Sequence, residues 1–515
     1  MEPEQRRKRK RVVARHLHIS SRSLFLCFSF LIFIFFLSSY HHFFSPSTFR
    51  PSLTASTLSL LYSSASHSVL DPLQSTTSSY TLQHRIIFPD HHLLILTNRQ
   101  QHHQLRQLEC VYYTLHPNDS SPGSSEPLLH VQVRPVLSTD RYDESRSIVR
   151  CPFTETNYSA AVDLRRRGEV GRRNLGILMN QTAQSWDRVA YEATLDGNTV
   201  VVFVKGLNLR PHKISDPTRI RCHFGLKSFH KDNAVSSPGG GRVQRRNRGK
   251  YELCVCTMVW NQASALKEWV MYHAWLGVER WFIYDNNSDD DIEKVVQDLD
   301  LQGFNVSRKV WPWIKTQEAG FSHCALRARE ECKWVGFFDV DEFFYFPGEF
   351  HQSLGEGVPA CHSFGPSGLN SPPKQGVTLG YTCRLQSPER HKSIVRPDLL
   401  DISLLNVVHH FQLREGFRYH NMPEGTGIIN HYKYQVWETF KAKFFRRVAT
   451  YVVDWQEDQN KGSKDRAPGL GTEAIEPPNW RLQFCEVWDT GLKDFLLSYF
   501  PDPATGMMPW ERSSL

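Results

Sequence analysis

The sequence predicts an α/β protein, with a Rossmann-like domain in its C-terminal half, a small β-sandwich before it and an N-terminal transmembrane anchor. Three observations support this prediction. Strand-like and helix-like segments alternate from residue 251 onward, short β-rich runs separated by turn residues fill 86–230, and an uncharged apolar run occupies 23–40. Strand–helix alternation implies a mostly parallel sheet with helices on both faces.

The first 40 residues have the pattern of a membrane anchor. A basic cytosolic tail, 1–22, precedes the apolar run 23–40, which has about the minimum length of a helical span. Basic flanks stay cytosolic, so we expect a single-pass type II protein of the Golgi membrane whose bulk is lumenal. The rival interpretation is a cleaved signal peptide. It is less favoured because the run is long for one and "SSYHHFF" makes a poor cleavage site.

The net charge of +8 is concentrated outside the predicted folded parts. The tail contributes +6 and the segment 241–250 contributes +5, which leaves the remainder near neutral. A nucleic-acid-binding protein would carry its basic charge on a folded face, so no nucleic-acid partner is expected.

Cysteines and glycosylation sequons agree with a lumenal location. Ten cysteines follow the apolar run, as expected for an oxidising compartment. Cys254 and Cys256 lie in one apolar strand and are interpreted as core or disulfide residues rather than zinc ligands. The N-x-[ST] sequons are at Asn118, Asn157, Asn180, Asn286 and Asn305.

Composition divides the rest of the chain into four segments. Residues 41–85 are rich in Ser, Thr, Pro and His and are predicted to form a flexible stem. The strands of 86–230 indicate a β-sandwich, either a structural module or a carbohydrate-binding one. Gly and basic residues mark 231–250 as a linker, and the α/β domain spans 251–500.

The segment "GFFDVDEFFYFP", 336–347, places three carboxylates within an aromatic strand. Residues i and i+2 of a strand share a face, so Asp339 and Asp341 are expected to project together, roughly 7 Å apart. Glu342 is then expected to point away and to be structural. Two such carboxylates can share Mn²⁺ or Mg²⁺ and leave positions for the phosphates of a nucleotide-sugar donor.

A lone D-x-D pattern has an ordinary explanation as two solvated acids at a strand end. Here the strand belongs to an α/β domain, and ligands of such sheets bind beyond the carboxyl ends of the strands. In a lumenal type II membrane protein this combination is typical of a glycosyltransferase with the GT-A fold.

Longer segments strengthen that interpretation. "TMVWNQASALKEWVMYHAWLGVERWFIYDNNSDD", "KWVGFFDVDEF", "KSIVRPDLL" and "HYKYQ" resemble glycosyltransferase family 92, which includes plant galactan synthases. The resemblance covers roughly residues 250–450. It implies Mn²⁺-dependent, inverting transfer from a nucleotide sugar, and its N-terminal region would resemble a carbohydrate-binding module. The turn "DNNSDDD" differs from the Gly-rich turn of the galactan synthases and sets the chain in another branch.

The resemblance also implies site residues. Asp341 would bind the metal, Asp339 the metal or the ribose, and His431 would complete the metal site. Thr257, Asn261 and Asp285, near the first two strand ends, would bind the nucleotide. For Asn261 a helix-cap role is the ordinary alternative, and Asn287 is interpreted as a turn residue.

An inverting enzyme needs a general base between the D-x-D pattern and His431. The candidates are Asp398, Asp401, Glu415 and Glu424. Asp398 is chosen because it lies within "KSIVRPDLL", although a turn acid after Pro397 is an equal alternative. Lys392 and Arg396 could stabilise the diphosphate or pair with acids, and His409 and His410 could meet the acceptor or be buried strand residues.

The prediction is therefore a Golgi glycosyltransferase that moves galactose from UDP-galactose to a glycan or polysaccharide, with a homodimer left open. Two alternatives remain: an inactive lumenal glycan-binding scaffold and a metal-dependent nucleotide-sugar hydrolase. Because the sequon at Asn286 lies in the turn beside the expected donor pocket, Asn286 is predicted to stay unmodified.

Overall fold

The computed structural model describes residues 80–98, 108–115, 129–153, 161–168, 183–197, 199–206, 249–346, 359–443 and 476–512. These residues all belong to one compact unit. The predicted tail and anchor, and most of the predicted stem and linker, lie outside the described residues. Within these ranges no helix is long and apolar enough to cross a membrane.

The part before residue 207 is built of short strands, as the sequence predicts. The strands are β1 (Tyr80–Ile87), β2 (His91–Asn98), β3 (Leu108–Leu115), β4 (Leu129–Pro135), β5 (Ser138–Arg141), β6 (Arg146–Pro152), β7 (Ala161–Arg166), β8 (Gln184–Ser185), β9 (Ala190–Asp196) and β10 (Thr199–Val204). They form sheets of order β5-β6-β2-β1-β8 and β4-β3-β7, and a β9–β10 hairpin. β1 begins at Tyr80, so the β-rich part starts six residues before the predicted boundary of 86.

The two larger sheets share an apolar core, which makes them a sandwich. Leu94 and Val149 of the first sheet pack with Leu108 and Val162 of the second. A disulfide between Cys110 on β3 and Cys151 on β6 joins the sheets directly.

The α/β part has the alternation predicted from residue 251. Its elements are β11 (Tyr251–Val259), α1 (Ala263–Trp275), β12 (Arg280–Asp285), α2 (Ile292–Leu301), β13 (Val306–Val310), α3 (Gln317–Glu331) and β14 (Cys332–Phe337). The four strands and β19 (Ser393–Val395) form a sheet of order β13-β12-β11-β14-β19. Strands β11 to β14 are parallel to one another, and β19 runs antiparallel to β14. The carboxyl ends of β11 to β14 therefore meet at one edge of the sheet.

Alternation along β11 explains two further disulfides. Cys254 and Cys256 lie two residues apart and so face the same side of the sheet. Cys254 is bonded to Cys332 at the start of β14, and Cys256 to Cys324 in α3. The prediction that these two cysteines are disulfide or core residues is confirmed.

The remaining elements build a second sheet and a C-terminal cap. They are β15 (Glu342–Tyr345), β16 (Ala360–Ser363), α4 (Val377–Gly380), β17 (Cys383–Arg384), β18 (Arg390–His391), β20 (Asn406–Val407), β21 (His410–Phe411), β22 (Ile428–His431), β23 (Val487–Trp488) and α5 (Gly491–Tyr499), and a helix is described from 437 to 443. The second sheet has the order β15-β22-β16-β18. It starts directly after the D-x-D segment.

The sandwich packs on the α/β part through aromatic side chains. Trp186 stacks on Phe88 at 4.8 Å and on Trp313 at 5.6 Å between ring centroids. Tyr191 lies 5.1 Å from Trp313. Stacked, buried rings of this kind hold two sheets in a defined orientation, so the sandwich is fastened to the edge of the parallel sheet.

Candidate active site

The D-x-D segment is a turn rather than part of a continuous strand. β14 ends at Phe337 and β15 begins at Glu342. The backbone N–H of Glu342 donates to the carbonyl oxygen of Asp339 at 3.1 Å, which closes the turn. The sequence predicted one strand, "KWVGFFDVDEFFYF", through 333–346, because the residues around the acids are mostly apolar or aromatic.

The turn changes the direction of Glu342, and this corrects the prediction that Glu342 points away. Its Oε2 accepts a hydrogen bond from the backbone N–H of Asp339 at 2.9 Å. Its Oε1 lies 2.7 Å from Nζ of Lys392 and 3.6 Å from Nδ1 of His431. Strand alternation does not apply across a turn, so all three carboxylates belong to one cluster.

Lys392 provides the main positive charge of this cluster. Its ammonium is buried and also lies 3.4 Å from Oδ2 of Asp339. Burial opposes the charged form of Lys392, yet Glu342 and Asp339 raise its pKa above the ordinary value. Burial also opposes the charged form of Asp339 and so raises its pKa. The positive charges of Lys392 and His409 outweigh this effect and hold the pKa of Asp339 at about 2. Of the two predicted roles for Lys392, the structure therefore shows pairing with acids.

Two further residues belong to the cluster: Lys443, which the sequence did not single out, and His409, for which it left two roles open. Lys443, in the helix that begins at 437, forms an ion pair with Oδ2 of Asp341. Burial raises the pKa of Asp341, but Lys443 and His431 lower it well below its ordinary value. Nδ1 of His409 donates to the carbonyl oxygen of Phe337 at 2.9 Å, and its Nε2 lies 3.6 Å from Oδ2 of Asp339. Both contacts cross long sequence distances, and no local pattern signals them.

His431 lies beside the turn, as the resemblance implies. It pairs with Glu342 across the β15–β22 ladder, so the two side chains share a face. Its Nε2 is 3.4 Å from Oδ2 of Asp341. Two ligand atoms on one cation, each about 2.1 Å from it, lie about 3 Å apart. Oδ1 of Asp341 is buried without a hydrogen-bond partner in the described part of the chain, so this donor set fits a divalent cation.

A second donor set shares His431. Donor atoms of Glu342, Cys361 and His431 lie within 4.8 Å of one another. Glu342 is already paired with Lys392, and burial raises the pKa of the Cys361 thiol well above its ordinary value. A protonated thiol is a poor metal ligand, so His431 and Asp341, whose Oδ1 has no partner among the described residues, are the better candidates for Mn²⁺ or Mg²⁺.

A cleft of about 760 Å³ opens at the carboxyl edge of the parallel sheet. Asp341, Val340 and Lys443 form one wall, and Asn261 and the first turn of α1 form another. Asn261 is not the helix cap, since Gln262 occupies that position and Asn261 has a left-handed backbone with φ 50°. Its side-chain oxygen accepts from the backbone N–H of Asp289 at 2.8 Å. The structure therefore places Asn261 and Asp341 on one cleft, where the sequence predicted a donor pocket.

Asp285 and Thr257 lie beneath that cleft rather than on its lining. The buried carboxylate of Asp285 accepts from the backbone N–H of Ser288 at 2.9 Å and from Nε of Arg308 at 2.8 Å. Thr257 is fully buried, and its hydroxyl has no hydrogen-bond partner among the described residues. Asn287 has φ 66°, which agrees with its interpretation as a turn residue.

The structure places Asp398, the residue chosen as general base, away from the D-x-D turn. Ser393 pairs with Phe337 and Val395 with Val335, so β19 runs away from the carboxyl edge of the sheet. Asp398 follows β19 in a short 3-10 helix, Pro397–Leu399. Its half-exposed carboxylate is paired with Arg396 at 2.8 Å. Arg396 therefore lies with Asp398, away from the D-x-D turn, and its ion pair matches the predicted alternative of pairing with an acid.

The other predicted bases are also placed. The carboxylate of Asp401 accepts from the backbone N–H of Ser403 at 2.9 Å, which is an ordinary turn. Glu415 is exposed in the turn after β21. Oε2 of Glu424 lies 3.5 Å from Nε2 of His362. His362 neighbours Asn430 in the ladder and so faces away from His431.

Comparison with known proteins identifies a matching family model and similar whole chains. Residues 249–474 match the model of glycosyltransferase family 92. The chain is 52% identical to a glycosyltransferase family 92 protein of Ricinus communis, with 100% of both chains covered. It is 48% identical to one of Arabidopsis thaliana over 96% of each chain. A solved glucosyl-3-phosphoglycerate synthase of Mycobacterium tuberculosis, in complex with Mn²⁺ and UDP, is 18% identical over 23% of this chain and 45% of that chain; its TM-score of 0.16 is too low to support any conclusion.

Proposed function

This chain belongs to glycosyltransferase family 92, and from its site we propose that it transfers galactose from UDP-galactose, with inversion, to a glycan or polysaccharide acceptor, using Mn²⁺. The observation that carries the proposal is the approach of Asp341 and His431, with Nε2 and Oδ2 3.4 Å apart beside the cleft. The donor, the metal and the inversion come from the resemblance, and this geometry supports the metal.

In this proposal the residues of the cluster divide the work. Asp341 and His431, with Asp339 as the resemblance implies, would hold the cation, which would supply positive charge for the leaving diphosphate. Lys392 balances the buried charge of Glu342, and Glu342 in turn holds the backbone of the turn at Asp339. Lys443 stands on the cleft wall, where its ammonium can contribute positive charge to a diphosphate.

The nucleotide is proposed to lie between the turn after β12 and the start of α1. Ser264 and Ala265, in the first turn of α1, line the cleft. The N–H groups of Ala263 and Ala265 are already bonded, to Oδ2 of Asp290 at 2.8 Å and to the carbonyl oxygen of Gln262 at 3.1 Å, so the positive end of the helix dipole would favour an anion here. Asn261 and Asp289 brace this wall through their side chains.

We also propose a location in the Golgi membrane, from the apolar run at 23–40 and the disulfides. An anchor at 23–40 would place the catalytic part in the Golgi lumen, and the described disulfides suit an oxidising compartment.

The decisive experiment compares Asp341→Asn with Asp398→Asn. Mn²⁺ binding is followed by electron paramagnetic resonance, and galactose transfer is followed with UDP-galactose and a panel of glycan acceptors. Asp341→Asn should lower Mn²⁺ affinity at least tenfold and abolish transfer, because it removes a charged ligand. Asp398→Asn should behave like the parent. Full Mn²⁺ affinity in Asp341→Asn would refute the metal site, and donor turnover without acceptor would indicate a hydrolase.

A further inference from the structure

Five aromatic side chains form a continuous surface beside the cleft. Trp275 ends α1, Phe495 and Tyr499 lie on α5, and Phe500 and Trp510 follow α5. Ring centroids are 5.1 Å apart for Trp275 and Phe495, 5.3 Å for Trp275 and Phe500, 5.0 Å for Phe495 and Tyr499, and 6.1 Å for Phe500 and Trp510. We call these five residues the aromatic platform.

The outer members of the aromatic platform are open to solvent. Trp275 is 45% exposed and Tyr499 is 70% exposed, whereas Phe495 and Phe500 are partly buried against the core. Contiguous exposed apolar surface on a protein commonly marks a binding site. One face of a sugar ring is a layer of C–H groups with slight positive charge, which is attracted to the electron-rich face of an aromatic ring.

The aromatic platform is continuous with the cleft. Trp510 lines the cleft, and its indole N–H donates to the carbonyl oxygen of Gln375 at 2.8 Å. Ala263, at the start of α1, lines the same cleft, and Trp275 ends that helix. At about 1.5 Å per residue the path along α1 is about 18 Å long, which is longer than a single sugar ring.

We propose that the aromatic platform is an extended subsite for the glycan acceptor, holding sugar units distal to the one that reacts. The proposal rests on the proposed function, since it presumes that the acceptor enters this cleft. Rings dominate the exposed surface and the cleft opens onto it, and both features favour a glycan over a protein partner. The aromatic platform would make the enzyme prefer long acceptors over short ones.

The test uses the full-length chain and its variants Trp275→Ala, Tyr499→Ala and Trp275→Phe. KM is measured for UDP-galactose, for a galactose disaccharide and for a longer galacto-oligosaccharide. Each alanine variant should raise KM for the longer acceptor about fivefold, since a ring contact contributes roughly 1 kcal/mol. KM for UDP-galactose and for the disaccharide should not change, and Trp275→Phe should retain most of the preference.

Trp488→Ala is the matched control, because Trp488 is 61% exposed and none of its described ring contacts reaches the aromatic platform. An unchanged KM for the longer acceptor, or an equal rise in Trp488→Ala, would overturn the proposal. So would an altered oligomeric state of the alanine variants by light scattering, which would identify a protein interface instead.

A binding measurement separates this proposal from the proposed function. Retardation in native gels containing galactan reports on the aromatic platform without any turnover. If the parent transfers no galactose yet is retarded, and Trp275→Ala is not, the proposed donor or reaction is wrong and the glycan subsite stands. If the parent transfers galactose and the variants are retarded equally, the subsite is wrong.

Discussion

Lys392 is the residue on which the charge balance of the D-x-D turn depends. It contacts two carboxylates, Asp339 at 3.4 Å and Glu342 at 2.7 Å, and Glu342 is fully buried. A buried carboxylate is costly unless it is paired and hydrogen-bonded. The ion pair between Lys392 and Glu342 therefore stabilises the turn without a bound cation.

Replacing Lys392 by Met should destabilise the fold by about 3 kcal/mol, because Glu342 would be left buried and unpaired. The double variant Lys392→Met/Glu342→Gln should recover much of that loss, since the uncompensated charge is gone. Urea unfolding followed by tryptophan fluorescence measures both values. Equal stability of Lys392→Met and the parent would show that the pair does not support the turn.

Asn286 should carry no glycan although it lies in a sequon. Its side-chain amide is buried and donates to the carbonyl oxygens of Trp311 and Trp313 at 2.6 and 3.2 Å. A glycan on that nitrogen would replace one of its two N–H bonds, so it would remove one of these hydrogen bonds and force the buried amide out of the fold. Glycopeptide mass spectrometry of the full-length chain checks this directly, with Ser288→Ala as the control that removes the sequon without touching Asn286. An occupied Asn286 in active protein would contradict the described turn.

At the scale of elements, two arginines link the sandwich to the turn after β12: Arg150 on β6 donates to Oδ1 of Asn287 at 2.6 Å, and Arg308 joins Asp140 to Asp285. Arg308 on β13 contacts Asp140 on β5 at 3.0 Å and Asp285 at the end of β12 at 2.6 Å. Asp285 holds Ser288, whose hydroxyl accepts from the backbone N–H of Asn261 at 3.0 Å. Three strands, β5, β13 and β12, and the turn after β12 are thus coupled from the sandwich to the cleft wall.

This coupling predicts a graded effect of two substitutions. Arg308→Met should cost about 3 kcal/mol and raise KM for UDP-galactose, because it leaves the carboxylate of Asp285 buried and unpaired. Asp140→Asn should cost only about 1 kcal/mol, since Arg308 keeps Asp285. Urea unfolding and donor kinetics of the two variants measure both effects. If Asp140→Asn were the more damaging change, the order of contacts described above would be wrong.

At the scale of the whole molecule, disulfides join segments that are far apart in the chain. Cys254–Cys332 and Cys256–Cys324 close spans of 78 and 68 residues within the parallel sheet, and Cys383–Cys485 closes a span of 102. In the chain-entropy view, each cross-link of this length stabilises the fold by about 4 kcal/mol. Cys361 is buried and free.

Disulfide mapping should return these three bonds and Cys110–Cys151, with Cys361 alkylated only after unfolding. Reduction should lower the melting temperature by well over 10 °C, because several cross-links are lost together. Cys361→Ser is the control and should leave the four pairs intact. A peptide that links Cys361 to any of the paired cysteines would disprove the map.

Much of this architecture is readable from local patterns. Strand–helix alternation after residue 251, the acids that end β14 and the late position of His431 follow from periodicity, composition and motif spacing, which depend on neighbouring residues only. The interpretation of Cys254 and Cys256 as core or disulfide residues follows in the same way from their place in an apolar strand. The family assignment rests on whole segments of this kind.

Other features depend on how distant segments pack. A turn interrupts the aromatic strand and brings Glu342 into the acidic cluster, which alternation alone cannot show. Lys443 reaches Asp341 across a hundred residues, and the antiparallel course of β19 carries Asp398 away from the D-x-D turn. Strand direction and turn closure are set by long-range burial and hydrogen bonding, so these positions become defined only when the chain has folded.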